Sequence, residues 1–388
     1  MPRNELLILH CPAGGGHRAA AMALAERAEV RGIAARVIDA LSFAPPWFAK
    51  LYVDTHLRSS AYIPHLYGSA YFASNHRTAV DGELRRWFDQ WIGKPLFEEV
   101  QSSDPLAVIT THFFPMGKLA SARQRGKLSA PLVEVVTDYA AHAVWAEPGA
   151  DAYCAPRGRA SADLVHHGIA RSRVVPTGIP VRAAFAEAPP LASPAPGEPL
   201  RVLITSGGFG VGPIGRVLRS FAPPSSTGDR RQSRPAAHLT MICGQNPRLV
   251  RRVQRISDRF GLDASVIGFE REMPARVAEA HVVVTKPGGL TVTECLAAGR
   301  PLVLVGAVPG QESLNQAWVT ESGAGLAVAP DDVGEAVEML RRSTLLEPMA
   351  QRARALVVPD AADRVLDVTL SLASVSRRRN LVHPSVGP

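Results

Sequence analysis

The chain has 388 residues, 46% of them hydrophobic, and carries 43 Lys and Arg against 35 Asp and Glu, a formal net charge of +8. This length suggests two domains, the apolar content is ordinary for a globular protein, and no run of about 18 apolar residues is present to span a bilayer. The four cysteines are too far apart for a zinc site or a disulfide framework, and no zinc finger, RNP-type strand or helix-turn-helix pattern appears, so nucleic acid is not an expected partner.

Glu5–His10 reads as a strand. It meets the glycine loop Gly14-Gly15-Gly16, which His17 closes before an alanine-rich helix. Further strands are expected at Ala35–Asp39, Leu106–Thr110, Leu132–Thr137, Ala152–Cys154 and Arg173–Pro176, with helical patterns between most of them. Half of the aromatic residues lie between Phe43 and Phe97, mixed in the stretch 45–72 with Lys50, His56, Arg58 and His65. Rings beside basic groups suit a bilayer interface, with Trp47, Phe48, Tyr52, Tyr62 and Tyr67 as contacts; the alternative is a core insertion with its rings inward. Leu84, Trp87, Phe88, Trp91 and Ile92 fall on one helical face that suits packing on the sheet.

Residues 186–199, rich in Pro and Ala, read as a linker. A second alternating series follows: Arg201–Ser206, His238–Cys243, Ala264–Ile267, His281–Thr285, Leu302–Val305 and Gly325–Val328. Between Phe221 and His238 a polar, proline-containing segment reads as a surface loop. The pattern gives an α/β protein of two Rossmann-like domains facing across a cleft: residues 1–185, residues 200–360, and a helix from about Ala361 to Ala373 returning to the first domain ahead of a disordered tail within 361–388. No basic segment followed by a long apolar stretch and a cleavage site opens the sequence, which makes the cytoplasm the expected compartment. The basic excess fits an anionic partner such as a membrane surface or a nucleotide.

Three glycine loops follow strands, where open parallel sheets bind ligands. In the first, His17 sits at the positive end of a helix, which disfavours protonation of imidazole. A neutral His there suits a general base taking a proton from an acceptor hydroxyl, although a capping His at a tight turn has the same appearance. Asp138, after the fourth strand, is placed to orient His17 or hold a hydroxyl, or else to cap a turn; His112 is read as cleft-lining. In the second loop, Ser206, Gly207, Gly208, Gly210 and Gly212 offer backbone amides to a diphosphate. No DxD-type metal motif is present, so no cofactor or metal is expected and amides with a helix dipole supply the charge compensation. The third, Thr285-Lys286-Pro287-Gly288-Gly289, opens a helix carrying Glu294, whose carboxylate can accept both ribose hydroxyls of a nucleotide. Lys286 suits a phosphate or sugar, and Gln311, Glu312 and Asn315 suit sugar hydroxyls.

Taken in this order, the Gly14–His17 and Lys286–Asn315 patterns resemble the monogalactosyldiacylglycerol synthase and processive diacylglycerol glucosyltransferase family, akin to the transferase that adds N-acetylglucosamine to the peptidoglycan lipid intermediate. The resemblance covers residues 5 to 330 or so. It implies a GT-B fold and an inverting hexosyl transfer from a UDP-sugar to a lipid hydroxyl, diacylglycerol first among candidates, by a peripheral enzyme on the cytoplasmic face of the cell membrane. It supports His17 as base and adds Asp138 with the following His142 and Trp145; Gly14, Gly15, Gly16, His112, His142 and Trp145 would bind the acceptor. It supports Glu294 on ribose and Gln311-Glu312 on the sugar, and assigns Gly268-Phe269 to the uracil ring. Thr205-Ser206 departs from relatives that continue the glycine run. A soluble or natural-product acceptor, a UDP-sugar 2-epimerase and a non-enzymatic UDP-sugar sensor are the competing readings; His17 together with Glu294 and Gln311-Glu312 argues against a purely binding role.

Overall fold

The structure is a computed structural model that describes residues 5–12, 15–52, 64–76, 92–195, 198–205, 207–208, 210, 212–222 and 236–382, with the backbone alone at 64–67, 377 and 379–382. It divides into two units, residues 1–183 with 358–388 and residues 184–357. Gly14, Ser206, Tyr62, the side chain of Tyr67, residues 84–91 and most of the 221–238 segment lie outside the described set.

Unit 1 holds β1 (Glu5–His10), β2 (Ala34–Asp39), β3 (Ala107–Thr110), β4 (Leu132–Val135), β5 (Ala152–Ala155) and β6 (Val174–Pro176). All pair in parallel, in the order β2-β1-β3-β4-β5-β6. Leu6, Leu7, Ile8 and Leu9 are all fully buried, as expected of a strand covered by helices on both faces. Helix α1 (Gly15–Val30) turns Ala20, Ala21, Ala23, Leu24 and Ala28 inward. Helix α2 (Pro64–Ala73) lies in the aromatic stretch. In the second unit α3 (Pro247–Phe260), α4 (Gly289–Ala297) and α5 (Gln311–Glu321) follow strands. Helix α6 (Ala361–Val382) joins unit 1, where Ala362, Val365 and Leu366 share a core with Leu6, Ile8 and Leu24. Arg27 and Arg31 of α1 pair with Asp363, and Arg31 also with Asp367, along the α1–α6 seam. α6 runs nine residues past its expected end at Ala373.

Unit 2 contains β7 (Leu200–Thr205), β8 (Ala237–Ile242), β9 (Ala264–Ile267), β10 (Val282–Thr285), β11 (Leu302–Leu304) and β12 (Gly325–Ala327), parallel and ordered β12-β11-β10-β7-β8-β9. Arg300 is the largest fully buried side chain. Its guanidinium donates to the carbonyls of Val277, Ala278, Ala298, Gly299 and Pro189. With Arg354, which donates to the Ala188 carbonyl, it pins the start of the proline-rich segment to this unit. Burial lowers its pKa to about 10, so it stays charged at neutral pH inside a cage of carbonyl dipoles.

One buried group in unit 1 is poorly accommodated. Glu134, in the middle of β4, is fully buried, and neither carboxylate oxygen has a hydrogen-bond partner; the same holds for Oγ1 of Thr110, its register partner on β3. Burial, reinforced by Glu147, pushes the Glu134 carboxyl well above its ordinary 4.5. An acid with a raised folded-state pKa weighs nothing below the unfolded value. It costs stability as pH rises above 4.5, by up to about 1.4 kcal/mol per pH unit until the folded pKa is reached. Glu134→Met is therefore expected to stabilise the protein at neutral pH and to flatten that part of the pH–stability profile. Urea unfolding at several pH values checks this; a destabilised variant with an unchanged profile would show that the acid is compensated.

Candidate functional site

In each unit the direction of strand progression reverses at one point, β1/β3 in unit 1 and β7/β10 in unit 2. Loops diverge there and leave a crevice at the carboxyl ends of the strands. His17 follows β1 at the first of these points, and the glycine loops after β7 and β10 lie at the second.

In unit 1 the helix opens at Gly15, so His17 lies in its first turn, half-buried. Its Nδ1 lies 2.8 Å from the Thr111 carbonyl oxygen and 3.0 Å from Thr137 Oγ1, while Thr111 Oγ1 donates back to the His17 carbonyl at 2.8 Å. A carbonyl oxygen only accepts, so Nδ1 carries the hydrogen and the basic lone pair of the neutral ring is on Nε2. Thr111 and Thr137 thereby fix both tautomer and ring orientation. Neither was singled out in the sequence; their signal is position alone, one residue after a strand end and one residue before Asp138.

The neighbouring rings pack around His17. His112 meets it edge-on at 4.5 Å, and Trp145 lies 6.1 Å from it. His112, His142 and Trp145 are almost completely buried. His112 Nδ1 accepts from the Phe114 amide, and His142 accepts from the Val144 amide while its Nε2 lies 2.9 Å from the Tyr71 carbonyl. These groups form the wall beside His17. Asp138 is buried as well, directly after Thr137. Gly15 is exposed, with open space where a side chain would stand.

The aromatic stretch divides. On residues 46–52, which are helical, Trp47 and Leu51 are each 57% exposed, and Phe72 of α2 is 48% exposed. Phe48, expected at a membrane, is buried and stacks on Phe114 at 5.9 Å, with Tyr52 half-buried beside it. The reason is helical spacing: 47 and 51 share one face, and 48 and 52 share the face turned to the core.

In unit 2 the loop after β7 is braced by residues after β8. Gly210 has φ 65°, and a Cβ there would lie 2.4 Å from the Cys243 carbonyl oxygen; a Cβ on Gly244, φ 61°, would lie 2.5 Å from the Gly208 oxygen. The Gln245 amide donates to the Gly208 carbonyl, and Asn246 Nδ2 to that of Gly210. Gly244, Gln245 and Asn246 were not foreseen, although Asn246-Pro247 carries a readable helix-start signal: Asn246 caps α3 through the Leu249 amide.

At the adjacent strand end, Lys286 Nζ binds Glu312 Oε1 at 2.9 Å, and Glu312 Oε2 accepts from the Val308 amide. Asn315 is fully buried and donates to the Pro287 carbonyl at 3.1 Å. This bond clips the turn before α4 to α5. Gly288 caps α4, Gly289 is its first residue, and Glu294 lies half-buried in the second turn. Gln311 opens α5 after Gly310, and Phe269, just beyond β9, is 55% exposed.

Burial holds the thiols of Cys154 and Cys243 up at about 12 and about 11, and all four cysteines are buried and free, which suits packing rather than nucleophilic work. Among the described residues no group of three or more His, Cys, Asp or Glu side chains could hold a metal ion, and no helix is long and apolar enough to cross a membrane.

Residues 17–181 match the family model for monogalactosyldiacylglycerol (MGDG) synthase, and residues 208–365 that for the glycosyltransferase family 28 C-terminal domain. The processive diacylglycerol beta-glucosyltransferases of Bacillus mycoides (strain KBAB4) and Bacillus cereus (strain B4264) are each 24% identical, covering 95% of this chain and 93% of theirs. Among solved structures, Acinetobacter baumannii MurG superposes with a TM-score of 0.63 at 17% identity, over 95% of this chain and all of that one. UDP-GlcNAc 2-epimerase from Neisseria meningitidis, bound to UDP-GlcNAc, superposes with a TM-score of 0.58 at 12% identity, over 95% and 99%. The GT-B fold is thus shared by transferases and epimerases and does not choose between them. The two family models do: residues 17–181 form a monogalactosyldiacylglycerol synthase domain and residues 208–365 a glycosyltransferase family 28 C-terminal domain, and the chain is a UDP-sugar-dependent hexosyltransferase.

Proposed function

We propose that the enzyme transfers a hexose from a UDP-sugar to a lipid hydroxyl, with diacylglycerol as the favoured acceptor, at the cytoplasmic face of the membrane and with inversion at the anomeric carbon. The observation that carries this reading is the His17 imidazole, held by Thr111 and Thr137 with its basic lone pair on Nε2 at the strand reversal of unit 1. In this reading Nε2 takes the acceptor proton, the resulting alkoxide attacks the anomeric carbon, and UDP leaves from the opposite side in one displacement. Unit 2 holds the donor: the glycine loop after β7 receives the diphosphate, Glu294 takes the ribose, Phe269 the uracil, and Gln311 with Glu312 the sugar. The Bacillus relatives are named for transfer to diacylglycerol, which supports a lipid acceptor here.

Incubation with diacylglycerol and a panel of UDP-sugars, followed by mass spectrometry of the lipid extract, tests the assignment. A glycolipid is expected, with equal yield in the presence of a chelator, because amides and helix ends supply the charge compensation. Free sugar released without acceptor would indicate epimerase chemistry, product confined to a soluble acceptor would remove the lipid, and strict dependence on added magnesium or manganese would reveal a metal site.

The apolar protrusion provides a second expectation. Trp47→Ser with Leu51→Ser should weaken sedimentation with vesicles at high salt, where charge attraction is screened. Phe48→Ser should instead lower thermal stability, by about 3 kcal/mol as a buried aromatic. Equal vesicle binding by wild type and the Trp47/Leu51 variant would remove this contact.

A further inference from the structure

Helix α3 carries a feature that the donor and acceptor sites leave unused. Arg248, Arg251, Arg252, Arg255 and Arg259 are all exposed. At 100° per residue they fall within about 100° of the helix circumference, spread over about 17 Å of its length. Leu249, Val253 and Ser257 occupy the buried face. Among the described residues none of the five arginines is paired with a carboxylate. The acid on the flank, Asp258, accepts from Gln254. Arg255 Nε donates to the Arg251 carbonyl, the Arg259 guanidinium lies over the Phe260 ring, and the Arg252 guanidinium rests near Gly215. Arg216 and Asp331, by contrast, neutralise each other on the same unit. Five like charges on one face repel each other, so the stripe is stabilised by whatever anion it meets.

We propose that this face of α3 docks on an anionic phospholipid surface, the planar guanidinium groups taking lipid phosphates as paired hydrogen-bond acceptors. The choice of a bilayer rests on the lipid-acceptor reading above and on the composition of the stripe: no aromatic side chain alternates with the arginines to stack a base, as single-stranded nucleic acid binders require. The surface belongs to the unit that holds the donor, and it is separate in sequence from the Trp47–Leu51 protrusion. It adds a long-range, salt-sensitive attraction to a short-range apolar one.

The test uses the full-length protein and the variant Arg251→Gln/Arg252→Gln/Arg255→Gln, co-sedimented with phosphatidylcholine vesicles with and without phosphatidylglycerol. Each arginine near an anionic surface contributes about fivefold, so the variant should lose about a hundredfold in affinity for the anionic vesicles. Its binding to neutral vesicles and its transfer to a detergent-dispersed acceptor should match wild type, and the three-lysine counterpart should fall between the two, keeping the charge and losing the paired hydrogen bonds. Undiminished binding of the glutamine variant to anionic vesicles overturns the proposal, as does a duplex DNA fragment that displaces the vesicles through these arginines. Anionic-vesicle binding that depends on the arginines, with no lipid ever glycosylated, would leave this surface standing and remove the lipid acceptor instead.

Discussion

His17→Ala should abolish measurable transfer while the folded protein still binds UDP with near wild-type affinity. A positioned general base contributes about 10²–10⁴-fold, or roughly 3–5 kcal/mol of barrier. The geometry makes the expectation specific to one atom. With Nδ1–H given to the Thr111 carbonyl, only Nε2 can receive a proton, and His17→Ala removes it without touching unit 2, to which the proposed donor contacts belong. Thr137→Val separates orientation from base chemistry: the Thr111 carbonyl still sets the tautomer, so the loss should be about tenfold or less and confined to kcat. Because a base must be unprotonated, kcat/KM should fall on the acid side, and that limb should vanish in any residual activity of the alanine variant. Calorimetric titration with UDP and steady-state transfer assays make the two measurements. Turnover of the alanine variant within a few-fold of wild type would make His17 structural and pass the role of base to Asp138.

Much of the fold was legible because parallel strands announce themselves. Runs such as Leu6–Leu9 and Val282–Val284 are apolar throughout, since both faces are covered, and Gly or Pro punctuates their ends. All twelve strands lie where the sequence places them, to within a residue or two at the ends, and the glycine loops fall at the carboxyl ends of β1, β7 and β10. What stayed hidden depends on three-dimensional neighbours. Phe48 and Trp47 are adjacent and both aromatic, yet one is core and the other exposed; only the position of Phe114 tells which. Asn315 has the chemistry of a sugar ligand, but its amide is engaged by the Pro287 carbonyl across 28 positions of chain. Thr111 and Thr137 orient His17 from just beyond the ends of two other strands, β3 and β4. Arg300 carries a charge and is nevertheless the largest fully buried side chain among the described residues, because five carbonyls converge on it. Composition marks which residues are capable of chemistry; convergence of strand ends decides which of them reach a ligand.

Glu294→Ala should weaken UDP binding without unfolding the protein. Glu294 projects from the second turn of α4, half-buried between the buried residues Thr293 and Cys295, so its carboxylate is partly shielded from water and its hydrogen bonds are correspondingly strong. If both ribose hydroxyls donate to it, the loss is on the order of 2–4 kcal/mol, which is about 30- to 1,000-fold in Kd. Truncating the ligand as well as the protein gives the decisive comparison. Wild type should bind 2′-deoxy-UDP less well than UDP, because one bond is lost, whereas the alanine variant should hardly distinguish them. Glu312→Ala serves as the contrasting change: it releases Lys286 and the Val308 amide, so it should disturb the loop that presents Gln311 and raise the KM for the UDP-sugar, while discrimination between UDP and 2′-deoxy-UDP is retained. Titration calorimetry on the three proteins reads the UDP affinities, and steady-state assays read the KM. Equal affinity of wild type and Glu294→Ala for UDP would remove the ribose from Glu294 and leave the donor to be held by the glycine loop and the uracil contact alone.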